Sequence, residues 1–327
     1  MSKPRVVIVS PALAAANNGN WHTAARWQAF LSPMAQVDIQ LHWQGEPAQA
    51  LVALHARRSA ESIARFRAAH PERALALVLT GTDLYRDIET DQAAQHSLKC
   101  ASHLVVLQDE GLQRLDAAER AKARVIVQSA SRLLRTDKAS RSFDFVAVGH
   151  LRDEKDPSTL MRAARHLPTP GPVRIIHIGA ALDPALGEEA LRTMQHCPHY
   201  RWLGGLAQPA ARRWIARSRA LIHMSRMEGG ANVVIEAVRS QVPVLASRID
   251  GNVGLLGRDY DGYFPLGDAK ALAGLMQRFC ADSAFAEHLI AQCALREPRF
   301  VPAAEAGAVR KLLADMVTSK TGAALPQ

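Results

Sequence analysis

Short apolar runs recur along this chain, with amphipathic stretches between them. In the first half the runs are Val6–Val9, Val37–Leu41, Leu51–Leu54, Leu75–Leu79, Leu104–Leu107 and Val125–Val127. Each has the length of a buried strand. Trp21–Leu31, Ser59–His70 and Glu110–Lys122 lie among them with helical spacing, and Ser59 is placed to cap a helix whose first turn holds Glu61. The polar stretch Arg135–Ser142 reads as an interdomain linker. Beyond it the alternation restarts with Phe143–Val148, Val173–Ile178, Arg201–Leu203, Ala220–Met224 and Val242–Ala246. Helical patterns fall near Ser158–His166, Pro209–Arg217, Asn232–Ser240 and Asp268–Ala281. Strands alternating with helices predict parallel sheets covered on both faces. The expected class is therefore α/β, with two Rossmann-like, doubly wound domains at 1–134 and 143–300 facing each other across a cleft. A helix and tail at 301–327 follow, with Pro302–Val317 lying on a surface.

Composition agrees with two domains, since 327 residues exceed the roughly 100–200 of a single one. No run of 18 apolar residues occurs, so a membrane span is not expected. The first apolar run is too short for a signal peptide, and the four cysteines have no spacing that suggests zinc, a redox pair or a disulfide framework. A cytoplasmic location is expected. The net charge of +9 raises nucleic acid as a partner, but arginines are scattered and aromatics make up only 5%, too few for a base-stacking platform. The charge instead suits anionic small substrates.

The richest chemistry lies at 228–236, Glu-Gly-Gly-Ala-Asn-Val-Val-Ile-Glu, between an apolar run and a helical pattern. A glycine turn opening a helix offers backbone N–H groups at the positive end of the helix dipole, suited to an anion. Carboxylates at either end of the segment can accept hydrogen bonds from hydroxyls beside that anion. A diphosphate flanked by sugars, as in a nucleotide sugar, fits. A glycine turn with dipole-complementing glutamates also arises for stability alone. A second segment, Gly149-His150-Leu151-Arg152-Asp153-Glu154-Lys155-Asp156-Pro157, follows a strand and supplies two cations, Arg152 and Lys155. Set near a diphosphate, they would neutralise the charge that builds on a departing nucleotide, so no metal is required. Local Arg–Asp and Lys–Glu pairing in a solvated loop is the plainer reading.

With both motifs in one Rossmann-like half, the chain resembles the retaining GT-B glycosyltransferases of family four. These carry a Gly-Arg-Leu…Glu-Lys loop and a Glu…Glu pair about a glycine turn. The likeness takes in Gly19, Gly204, Ser225 and Gly267–Ala273. It implies that Lys155 binds donor diphosphate, Glu228 contacts the transferred sugar and Glu236 holds the ribose. Gly229, Gly230, Ala231 and Asn232 would offer backbone donors. His150 stands where the family usually has arginine, and Arg152 would supply the missing charge.

The first half then takes the acceptor. Asn17-Asn18-Gly19-Asn20-Trp21-His22-Thr23 opens a helix and can form another anion-receptive turn, or a plain capped Asn-Gly turn. Trp21 and Trp27 suit either core or pocket wall. At Leu79-Thr80-Gly81-Thr82-Asp83, relatives often have histidine where this chain has Thr80. A threonine hydroxyl is no effective general base at neutral pH, and a nucleophile that is already an anion would need none. Asn-Gly-Asn-Trp-His-Thr-Ala, Leu-Thr-Gly-Thr-Asp-Leu-Tyr-Arg-Asp and Ser-Arg-Met-Glu-Gly-Gly-Ala-Asn together resemble the selenosugar synthases of selenoneine biosynthesis. That resemblance implies transfer of a hexosyl group from UDP-N-acetylglucosamine or UDP-glucose to selenophosphate, with Asn18, Gly19, Asn20, His22 and Thr80 on the acceptor side. It further implies no cofactor and a functional link to a selenophosphate-producing enzyme. A conventional transferase with a lipid, polysaccharide or thiol acceptor, a UDP-sugar epimerase and a non-enzymatic basic binding module are the alternatives.

Overall fold

The computed structural model describes residues 3–14, 18–133 and 142–318. Asn17 and the expected linker from Arg135 to Arg141 lie outside the described residues. The chain divides into two compact units. One comprises the chain up to Gln128 together with the part from Pro302 onward, and the other runs Ser129–Val301.

In the first unit β1 (Arg5–Val9), β2 (Gln36–Gln40), β3 (Ala50–Leu54), β4 (Ala74–Leu79), β5 (His103–Val106) and β6 (Ala123–Val125) form one sheet in the order β2-β1-β3-β4-β5-β6. Every neighbouring pair is parallel. Parallel strands are covered on both faces, which is why the middle strands read as unbroken apolar runs. Alternation then sends successive side chains to opposite sides. Val7, Val9, Leu51 and Leu77 join one core cluster, and Val6, Ile8, Val52 and Val78 join the other.

The helix Pro302–Thr318 covers the second of these clusters with Val309, Leu312, Leu313 and Met316. Its buried Glu305 accepts from Trp27 Nε1 at 2.8 Å and from Arg26 Nε at 2.7 Å, so Trp27 belongs to the core. The expected separate C-terminal segment is thus, through this helix, part of the first unit.

The second unit holds β7 (Phe143–Val148), β8 (Val173–Ile178), β9 (Tyr200–Trp202), β10 (Ala220–His223), β11 (Val244–Ser247) and β12 (Tyr263–Phe264). Read from the far edge, the order is β9-β8-β7-β10-β11-β12, again parallel throughout. This is the 3-2-1-4-5-6 order of dinucleotide-binding sheets, while the first five strands of the other unit follow the 2-1-3-4-5 order. In such sheets ligands bind beyond the carboxyl ends of the strands where the order reverses. Those points are β1/β3 in the first unit and β7/β10 in the second.

Three local expectations need correction. Glu110–Lys122 is not one helix but a 3-10 segment, Asp109–Arg114, and a short helix, Ala117–Ala121. Asp116 starts the latter through a reciprocal capping box with Glu119, which interrupts the longer pattern. Ser59 makes no side-chain cap; its hydroxyl donates to Leu54 O at 2.7 Å instead. β12 and the helices Gln92–Cys100, Pro184–His196, Asp250–Leu256 and Ser283–Arg296 add to the elements read from the sequence. Among the described residues no helix is long and apolar enough to cross a membrane.

Candidate active site

β7 and β10 are hydrogen-bonded neighbours, so the loops leaving their carboxyl ends emerge side by side. The first loop is held by close backbone contact. Gly149 N donates to Ile178 O at 2.9 Å, and a Cβ on Gly179 would lie 1.9 Å from Gly149 O. Only glycine allows that approach. Leu151 N then donates to Ala180 O at 2.9 Å, and His150 Nδ1 accepts from Ala180 N at 3.2 Å. His150 therefore ties its loop to the end of β8.

A 3-10 turn, Asp153–Lys155, follows. It ends at Asp156, which is buried in the left-handed region at φ 46° and accepts from Thr159 Oγ1 at 2.7 Å. Pro157, whose fixed φ suits a first helical turn, opens the helix Pro157–Arg165.

Lys155 comes off this turn and its Nζ donates to Glu228 Oε1, on the loop after β10. Arg226 fastens the two loops together. Its backbone N–H donates to Glu154 O at 2.9 Å, and its guanidinium reaches Asp153 O at 3.2 Å and Asp156 Oδ1 at 3.1 Å. On the far side of Glu228, Gly251 admits the backbone: a Cβ there would lie 2.1 Å from Glu228 O.

Glu228 is buried, and burial alone would raise its pKa. The charge of Lys155 and the hydrogen bond from His223 outweigh that penalty and hold the carboxyl well below the usual carboxylate range. The pair thus presents a fixed anion beside an ammonium on a flexible stem.

The glycine turn leads into the helix Asn232–Arg239, whose cap position, Ala231, supplies no side-chain acceptor. Its first turn carries no acidic residue either, which suits that end to an external anion. Glu236 sits further along this helix and is buried. Its Oε1 accepts from Gln208 Nε2 at 2.8 Å and lies 3.8 Å from Arg212 Nε. Arg152 precedes the 3-10 turn in extended conformation without a side-chain cap, and its Nε lies 3.9 Å from Glu154 Oε2.

In the first unit Asn18 accepts from Trp21 N at 3.2 Å and so serves as the cap of the helix Gly19–Leu31. Gly19 and Asn20 form the first turn of that helix. His22 lies one turn in; burial, then the charge of Arg26, lower its pKa. Thr80 directly follows β4, where buried Asp83 gathers the loop. Asp83 accepts from the backbone N–H of Thr80 at 2.9 Å, Gly81 at 2.8 Å and Ala56 at 2.9 Å. His55, after β3, is buried at φ 75°, and its Nε2 lies 2.9 Å from Thr82 Oγ1. Burial lowers its pKa, with nearby Asp83 opposing.

Among the described residues no group of three or more His, Cys, Asp or Glu side chains is placed to hold a metal. The four cysteines are free.

Residues 142–282, which contain every candidate of the second unit, match the family model for glycosyl transferases group 1. Over that stretch the second unit is similar to group 1 glycosyl transferases. A relative from Xenopus tropicalis, glycosyltransferase 1 domain-containing protein 1, is 27% identical over 210 residues, covering 57% of this chain and 60% of its own length. This chain therefore spans less than two thirds of that relative.

Two solved structures share the architecture over nearly the whole chain. Sucrose-phosphate synthase of Thermosynechococcus elongatus superposes at a TM-score of 0.78 with 15% identity, covering 96% of this chain and 99% of that one. Anabaena HepE, solved with UDP-glucose, superposes at 0.75 with 15% identity, covering 95% and 100%. The fold is GT-B.

Within residues 142–282, sequence reasoning missed His223 and Arg226. His223 is the last residue of an otherwise apolar strand, and its Nε2 lies 3.3 Å from Glu228 Oε1. Arg226 lay inside a quoted motif, yet its partners Asp153 and Asp156 are about 70 positions away, at separations of 73 and 70, and only the fold joins them. In the first unit His55 was also missed. A histidine directly after a buried strand marks a carboxyl edge, a signal that was readable.

Proposed function

We propose that this protein is a glycosyltransferase that moves a hexosyl group, N-acetylglucosamine or glucose, from UDP to selenophosphate. The observation carrying the reading is the Lys155–Glu228 contact at the β7/β10 reversal, beside an uncapped helix N-terminus. A diphosphate placed there meets the ammonium of Lys155 and the backbone donors of residues 229–232. Glu228, held ionised, accepts hydrogen bonds from sugar hydroxyls, and Glu236 serves the ribose, which must share it with Gln208 and Arg212. The solved HepE complex contains UDP-glucose on the same architecture, which supports this class of donor.

In the reaction a selenium lone pair forms the C–Se bond at the anomeric carbon. The bond from that carbon to the diphosphate oxygen breaks, and UDP leaves with the electron pair. Lys155, with Arg152, neutralises the charge growing on UDP, so residues of the chain supply the electrostatic stabilisation. No metal or organic cofactor is invoked. The acceptor lies against the first unit, at Gly19, Asn20, His22 and Thr80, where an anionic nucleophile needs no base. An enzyme that makes selenophosphate would supply it, in the cytoplasm.

The test combines calorimetric titration with UDP and mass spectrometry of UDP-hexose incubated with freshly made selenophosphate. UDP binding and a product in which selenium joins the hexose are expected. Absence of UDP binding to the folded protein overturns the donor site. UDP release with a lipid, polysaccharide or thiol acceptor but never with selenophosphate overturns the acceptor, and donor conversion with no acceptor present identifies an epimerase.

A further inference from the structure

Lys155 Nζ donates to Glu228 Oε1 and His223 Nε2 lies 3.3 Å from the same oxygen, but the two are anchored differently. Lys155 ends a flexible stem on a 3-10 turn. His223 is fixed: its backbone pairs with Ala246 of β11, and its Nε2 also lies 3.2 Å from Ser225 Oγ. Ser225 is itself anchored, since its carbonyl accepts from Ser247 Oγ at 2.7 Å, and Asn252 Nδ2 donates to Ser247 O at 2.9 Å. His223 Nδ1 is buried with no hydrogen-bond partner, so the ring meets its polar neighbours through Nε2 alone. The Glu228 side chain is 10% exposed and that of His223 3%.

We propose that His223 is a positioning residue that holds Glu228 in place while Lys155 moves from it to the donor diphosphate. The inference rests on the reading of Lys155 as the diphosphate ligand. A carboxylate that is nearly buried and loses its cation is strongly destabilised unless another donor remains. Water has little access to it. The imidazole N–H of His223 is that donor, set on a strand that does not follow the lysine. Without it, Lys155 stays on Glu228, and an incoming diphosphate has to pull the pair apart against the full cost of an unpaired carboxylate. His223 thus acts on donor affinity through Glu228 and touches neither UDP nor the sugar.

The experiment is a double-mutant cycle read by UDP titration calorimetry, with circular dichroism to confirm folding. His223→Leu should weaken UDP binding about tenfold or more in the wild-type background and less than about twofold in Glu228→Gln, where no charge is left behind. His223→Gln, which keeps an N–H donor near the Nε2 position, should stay within about threefold of wild type. An equal loss in both backgrounds would mark His223 as merely structural and overturn the proposal. So would an unchanged affinity in His223→Leu, or a loss in His223→Gln as large as in His223→Leu. Failure of the wild-type protein to bind UDP is a different result, which removes the donor reading itself and this inference with it.

Discussion

The two reversal points of this molecule use their charges in opposite ways. In the second unit, loops after β7 and β10 bring Lys155 and Glu228 together, beside a helix end that lacks a side-chain cap. In the first unit, the described parts of the loops after β1, β3 and β4 turn several polar groups inward. Asn18 caps a helix, Asp83 takes three backbone N–H groups, and His55 rests on Thr82. Similar sheets thus carry a charged pair at one reversal and an internally hydrogen-bonded platform at the other. The difference lies in the loops, as expected where function is grafted onto a common scaffold.

Replacing Lys155 by alanine tests the presenting side and should have the largest effect. Turnover should fall about 10²–10³-fold, the scale for losing one donor aimed at developing charge, with the thermal melt little changed. Steady-state release of UDP measures it, and near-wild-type turnover in the folded variant would end the role given to Lys155. Asp83→Ala tests the platform. It strands the N–H groups of Thr80, Gly81 and Ala56, so urea unfolding should show a loss of about 3 kcal/mol. UDP affinity of the folded protein should not change, and a large fall in affinity would break the contrast. Asn18→Ala should act least, lowering stability by about 1 kcal/mol through the lost cap while turnover stays within about twofold. A tenfold fall in turnover at unchanged stability would make Asn18 a substrate contact instead.

Much of the fold was legible because parallel strands are buried on both faces and leave uninterrupted apolar runs. Phe143–Val148 and Val173–Ile178 match the observed β7 and β8 to the residue. β12 was not legible, since two residues, Tyr263 and Phe264, carry no period. The Glu110–Lys122 pattern misled because a helical spacing does not reveal a cap in its middle, and Asp116 supplies one. At the site, Lys155 and Glu228 could be named from local motifs, since each loop has its own signature. Arg226 and His55 could not be given roles, because each acts on a residue distant in sequence, while His223 was hidden as the end of an apolar strand. Gly251 is of the same kind: nothing around it in the chain announces that the carbonyl of Glu228 passes where its side chain would be.

The closing helix, Pro302–Thr318, has a practical bearing on dissecting the molecule. Because its apolar face and Glu305 complete the half that contains β1, a gene cut at the Gln128 boundary would deliver that half stripped of its cover, with the Trp27 indole left without its acceptor. Separate production of the two halves therefore calls for a rearranged gene, with the stretch encoding Pro302–Thr318 joined behind that of the first half.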